Sequence, residues 1–149
     1  MPLYRKEKPT ILTGGCGAET LLSSTSFWMG DHLQRGLVQS EGGRDIKIIG
    51  SWTITGVRLS QRSSTPATGT NAAVAIPLTL KNRTTGSVYT SILSFTANSS
   101  DLENQVSGVL AIPVNNNDSI SFNFTTPNYV GGAGVAAAGW TCMLSIYMV

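Results

Sequence analysis

The sequence predicts an all-β protein built as an antiparallel sandwich. Three observations carry that prediction. Apolar residues alternate with polar or small ones at Val74, Ile76, Leu78 and Leu80, at Ile120, Phe122 and Phe124, and at Trp140, Cys142, Leu144, Ile146 and Met148. This is the period of two that puts every second side chain on one face of a strand. The composition includes 34 Ser plus Thr and nine Asn, residues that suit half-buried pleated surfaces and the turns between them. No sustained helical period, heptad or fixed internal repeat competes with this pattern, so any helix is expected to span no more than about three turns.

Taken in order from Asp45, each element has its own signal. Trp52 and Ile54 alternate with Ser51, Thr53 and Thr55; the apolar phase then switches to Val57 and Leu59, with Gly56 at the switch, which reads as a β-bulge. Residues 60–72 are rich in Ser, Thr, Gly and Pro and read as a loop. The strand at 74–80 carries Pro77 on its polar face. Proline has no N–H to give a ladder, so this strand is expected at a sheet edge or at a bulge. Lys81–Gly86 is a turn and Ser87–Phe95 the returning arm of a hairpin. A turn at Ala97–Asp101, a strand over Val106–Val114 and the turn Asn115-Asn116-Asn117-Asp118 follow. The strand at 119–124 leads to a small-residue loop at Gly131–Gly139. The last strand continues to Val149, so the C-terminus is expected to lie within a sheet.

Residues 1–44 read differently. They contain Gly14-Gly15-Cys16-Gly17 and Gly42-Gly43 without a clear period, and a short helical turn fits at Ala18–Leu22 or at Asp31–Gln34, the latter with Asp31 as N-cap. The expected organisation is an irregular, extended arm over 1–44 and a sandwich domain over 45–149. The arm carries the apolar side chains Leu21, Leu22, Phe27 and Trp28 and the cations Arg5, Lys6 and Lys8. An isolated tail would leave the apolar ones in water, so these seven are the candidate partner-binding residues, the cations adding salt-sensitive attraction to an acidic surface.

Composition narrows the function. A chain of 149 residues, 41% apolar and 12% charged, can bury a core without disulfides or metals. Eight of its ten Lys and Arg lie at or before Arg62, and none follows Arg83; a nucleic-acid groove would need cations across the folded body. No apolar stretch approaches a membrane span, and no signal peptide is visible. Synthesis in a cytoplasm, with use there or export inside a larger assembly, is the corresponding expectation.

Candidate chemistry is sparse. His32 has no acid marked out to orient it, and Cys16 between glycines reads as part of a tight turn rather than as a nucleophile. Cys16 and Cys142 could pair, but Cys142 sits in an alternating strand where a buried free thiol is the simpler reading. Asp101 and Glu103 lie two residues apart beside a turn, and Asn115–Asp118 offers a single carboxylate to a cation. Trp52 and Trp140 fall on apolar strand faces and read as core. The reading is of a non-enzyme with no cofactor, no metal site and no catalytic residue.

The run Leu110-Ala111-Ile112-Pro113-Val114-Asn115-Asn116-Asn117-Asp118-Ser119-Ile120-Ser121-Phe122, followed by Gly139-Trp140-Thr141-Cys142-Met143-Leu144-Ser145-Ile146-Tyr147, resembles the penultimate hairpin and final core strand of trimeric jelly rolls of the C1q and tumour-necrosis-factor type. The likeness covers about 40 residues, and Asn117 stands where those domains usually have glycine. Similar jelly rolls occur in bacteriophage fibres, capsid decoration proteins and tail proteins. The resemblance implies a jelly-roll fold, a homotrimer and a virion structural role: a bacteriophage capsid decoration or cement protein, or a head or tail accessory subunit, contacting the major capsid or other virion proteins through the arm. The alternative is a fibre-tip or carbohydrate- and receptor-binding module. That role would normally follow a repetitive shaft, which this sequence does not contain.

Overall fold

The computed structural model describes residues 10–30, 37–41, 44–131 and 137–149. Among them are ten strands and no helix: β1 (Thr10–Leu21), β2 (Ser26–Met29), β3 (Ile46–Lys47), β4 (Trp52–Arg62), β5 (Ile76–Asn82), β6 (Val88–Phe95), β7 (Glu103–Val106), β8 (Ile112–Val114), β9 (Ser119–Thr125) and β10 (Ala137–Met148). They form two five-stranded antiparallel sheets. One runs β1-β10-β4-β7, with β8 also on β4; the other runs β2-β9-β5-β6, with β3 also on β9. The predicted all-β antiparallel sandwich is therefore the observed architecture.

β2 and β3 are two pieces of one interrupted strand along β9, and β7 and β8 two pieces along β4. Counted that way, the first strand pairs the last, the second the second-last, the third the third-last and the middle two each other. The chain is one long antiparallel ribbon folded over on itself, closed by β10 on β4 and β9 on β5.

The strand alternation sets the core. Ile54, Val57, Leu59, Leu144, Ile146 and Trp140 face Ile76, Leu78, Leu80, Phe95, Ile120, Phe122 and Phe124 between the sheets, all buried. Phe95 lies stacked on Trp140 with ring centroids 5.6 Å apart and edge-on to Phe124 at 5.1 Å, the offset and T-shaped arrangements that aromatic quadrupoles favour. The Trp140 indole N–H donates to Gln61 Oε1 at 2.6 Å, and Gln61 Nε2 donates to Thr96 O and Glu103 Oε2. A glutamine at an inward position is thereby satisfied, as a buried amide must be.

The phase switch in β4 is a register shift: Gly56 pairs Tyr147 and Ile54 pairs Met148, leaving Thr55 unmatched. The bulge also explains why the single strand expected over Val106–Val114 divides. β7 pairs β4 on one side of the bulge and β8 on the other. Between them Ser107 bonds the Val57 backbone and Leu110 N donates to Thr55 O. On the other side of β4 the C-terminus extends the β10 ladder past the bulge, with Val149 and Thr53 exchanging both backbone bonds. β5 lies inside its sheet rather than at an edge, and the bulge expected near Pro77 is found beside it, where the β5–β6 register shifts between Leu78 and Leu80. Pro77 precedes the stretch paired with β9, which starts at Thr79, so its missing N–H falls outside that ladder. Val74 is exposed and precedes the strand.

The division into an arm and a body does not survive. β1 pairs β10 over most of its length and β2 pairs β9 throughout. Leu21 and Phe27 are buried in this chain's own core, Leu21 with no exposed surface at all, while Leu22 is exposed and Trp28 half-buried. Trp28 also exchanges backbone bonds with Val38. The helical turn expected at 18–22 is the end of β1, and the one at 31–34 lies outside the described residues, as do Arg5, Lys6 and Lys8. The Gly14-Gly15 pair serves close approach within a strand rather than a tight turn. A Cβ on Gly14 would sit 2.5 Å from Gly30 O, and one on Gly15, whose φ is +139°, 2.3 Å from Cys142 O.

Candidate interaction surface

The outer face of the β1-β10-β4-β7 sheet follows from the same alternation. Residues opposite the core side chains of β10 are Thr141, Met143, Ser145 and Tyr147. Register places Ile11 and Thr13 of β1 beside Tyr147 and Ser145, Arg58, Ser60 and Arg62 of β4 on the other side, then Asn104 and Val106 of β7. These positions hold two arginines and no carboxylate. Met143 is 53% exposed, Val106 67%, and Val109 in the adjoining loop 99%. Val106, Val109 and Tyr147 line one depression around Gly56, with Ile11 beside Tyr147, and form an apolar patch of the kind that marks interaction sites, while Met143 stands apart across Arg58 and Ser60 of β4.

Between β10 and β7 the face dips into an open groove of about 500 Å³. Its floor is Arg58, Ser60 and Arg62, and its sides are Leu102 and Asn104 opposite Thr141 and Met143. Asn104 Oδ1 accepts from Arg58 Nη2 at 2.9 Å, Arg58 Nε at 3.3 Å and Ser60 Oγ at 2.6 Å. One amide oxygen thus fixes the guanidinium without neutralising it. No described carboxylate pairs with either arginine; the ion pairs among described residues are Lys81 and Arg83 with Glu41, and Arg83 with Asp45, on the other sheet's side of the molecule. A second shallow depression of about 360 Å³ lies beside Val106, lined by Thr55, Gly56, Val109 and Tyr147.

The groups singled out for chemistry are otherwise occupied. Asp118 is buried, and its Oδ2 accepts from Asn115 N and Asn82 Nδ2, each at 2.8 Å. The Asn115 backbone N–H, then the Asn82 amide, hold its carboxyl below the usual range. That carboxylate ties the 115–118 turn to the β5–β6 turn, where Asn82 Oδ1 accepts from Thr84 N and Thr85 N. Glu103 accepts from Gln61, and Asp101 sits exposed in a turn. Trp52 is half-buried with its indole N–H on Ile49 O, while Trp140 is fully buried. Cys16 faces Cys142 inside the sandwich. His32 lies outside the described residues. Among the described residues no three His, Cys, Asp or Glu side chains gather as a metal site would require.

Of the seven predicted partner-binding residues, the structure gathers none into a shared exposed surface. Leu21 and Phe27 are core, Trp28 is half-buried, Leu22 is exposed by itself, and the three cations fall outside the described residues. Sequence reading missed Arg58, Ser60, Leu102 and Asn104. The outward alternation of Thr141, Met143, Ser145 and Tyr147 was legible, but their proximity to Arg58 and Asn104 depends on strand order. Comparison of the chain with known protein families and with curated proteins gives no match.

Proposed function

We propose that this chain is a non-enzymatic virion structural protein: a jelly-roll subunit that assembles as a homotrimer and decorates or cements a bacteriophage capsid, or serves as a head or tail accessory protein. The observation that carries the reading is the outer face of the β1-β10-β4-β7 sheet. It has no carboxylate at the outward positions of β10, β4 and β7 and carries open aliphatic side chains at Ile11, Val106 and Met143. Surfaces buried in obligate assemblies are depleted in charge and enriched in such groups. Attachment then belongs to this face rather than to Leu21 and Phe27, which the core already uses. The first-with-last, second-with-second-last strand pairing supports the jelly-roll reading, since a ribbon wound in that way gives the two interleaved Greek keys of that fold.

Light scattering of the purified chain at micromolar concentration tests assembly. A trimer is expected, and Val106→Lys with Met143→Lys is expected to yield a folded monomer. A wild-type monomer, or a trimer indifferent to both lysines, contradicts the reading. Co-sedimentation with density-purified particles of the encoding virus tests the virion role. A second reading, a fibre-tip module for anionic glycans, is favoured by the Arg58–Asn104–Ser60 groove alone; glycan binding lost in Arg58→Ala would select it.

A further inference from the structure

We propose that Cys16 and Cys142 form a site of oxidative modification, an intramolecular cross-strand disulfide that staples β1 to β10. The two residues are direct partners in the antiparallel ladder. Opposed Cα atoms in such a ladder lie about 4.5–5.5 Å apart, inside the roughly 4.4–6.8 Å range that a disulfide spans. The sulfurs already face each other at 3.6 Å, so bonding at about 2.05 Å requires a closure of about 1.5 Å. Gly15 is part of the same arrangement. Without a Cβ it allows the β1 backbone to lie against Cys142 O, where any side chain would collide.

The bond would tie an edge strand to its neighbour. β1 is an edge strand with β10 as its ladder partner, and local opening starts at such edges. A cross-link between residues 16 and 142 also closes nearly the whole chain into one loop, the case in which chain-entropy stabilisation is largest.

The chemistry is thiol–disulfide exchange with a low-molecular-weight disulfide such as oxidised glutathione. One cysteine thiolate, its proton lost to solvent, attacks a glutathione sulfur and releases one glutathione thiolate. The second cysteine thiolate then displaces the other, forming the Sγ–Sγ bond. Two cysteine thiols are oxidised by two electrons in total and one glutathione disulfide is reduced to two thiols. Burial raises the Cys142 thiol well above its ordinary pKa, so exchange proceeds when β1 lifts rather than in the closed state. In a reducing cytoplasm both thiols persist; in an oxidising medium the staple forms.

The test equilibrates the full chain in oxidised and reduced glutathione, with a partial urea step to open β1, followed by thiol counting, peptide mapping and thermal melting. Both thiols should disappear together into one Cys16–Cys142 linked peptide without glutathione adducts. The oxidised protein should melt roughly 5–15 °C above the same protein in dithiothreitol, and Cys16→Ser should show no gain on oxidation. Persistent free thiols, stable glutathione adducts, interchain links, or an oxidised form that melts no higher than the reduced one would each overturn the proposal. Should Cys16→Ser fail to fold, the oxidised and reduced wild-type forms decide the matter by themselves.

Discussion

Leu21→Ala and Leu22→Ala are adjacent substitutions of the same residue type, and the fold assigns them opposite consequences. Leu21 ends β1 with no exposed surface, while the neighbouring Leu22 is 46% exposed. Truncating Leu21 removes the equivalent of three buried methyl or methylene groups, about 2.4 kcal/mol at about 0.8 kcal/mol each. The cavity left between the sheets adds to this, within the roughly 2.7–5 kcal/mol seen for buried Leu→Ala changes. About 3 kcal/mol is therefore expected for Leu21→Ala, and a fall in Tm of about 6–12 °C for a chain of this size. Leu22→Ala should stay within about 0.5 kcal/mol. Equilibrium urea unfolding followed by tryptophan fluorescence is a suitable assay, because Trp140 is fully buried and will report core exposure. If the two variants lose equal stability, or if Leu21→Ala costs less than about 1 kcal/mol while weakening assembly, the N-terminal segment is a docking element after all and its incorporation into the core is wrong.

Three further outcomes follow from the same structure. Gly15→Ala should destabilise by more than Gly17→Ala, because its Cβ would meet Cys142 O at 2.3 Å whereas nothing lies within 4 Å of one at Gly17; paired urea midpoints measure the difference. Gln61→Leu should cost about 1–3 kcal/mol by stranding the buried Trp140 N–H, and a near-neutral result would mean that the Gln61 bond is not formed. Asp118 sets part of the acid response: its folded pKa lies below the unfolded value near 3.9, so its contribution is full above that value and is lost as pH falls through the folded pKa. Asp118→Asn should accordingly shallow the loss of stability below about pH 4, and an unchanged acid limb in urea titrations would count against the Asn115 and Asn82 bonds.

What could be read from the sequence depended on which side chains occupy inward positions. β5, β9 and β10 were legible because Ile76, Leu78, Leu80, Ile120, Phe122, Phe124, Leu144 and Ile146 are large, apolar and inward without exception. The bulge in β4 was legible because Gly56 marks a change of phase. β1 was hidden because its inward positions include Gly14 and Cys16, and Ile11, its most apolar side chain, points outward. A strand that lends backbone rather than side chains to a core leaves little periodicity to detect. β4 likewise carries Gln61 inward, a polar residue whose burial makes sense only once Trp140 lies beside it. The outer face depends on strand order. Arg58, Asn104 and Met143 come together through ladders between residues more than 40 positions apart, and no local pattern encodes that adjacency.

If the β1-β10-β4-β7 face is the proposed assembly surface, amide hydrogen exchange there will depend on protein concentration. Peptides covering 103–109 and 141–147 should exchange more slowly at micromolar than at low nanomolar concentration. Peptides from β5 and β6 should be unaffected, and Val106→Lys with Met143→Lys should remove the difference. Concentration-independent exchange across 103–109 and 141–147, or protection appearing on β5 and β6 instead, would contradict the assignment of this face.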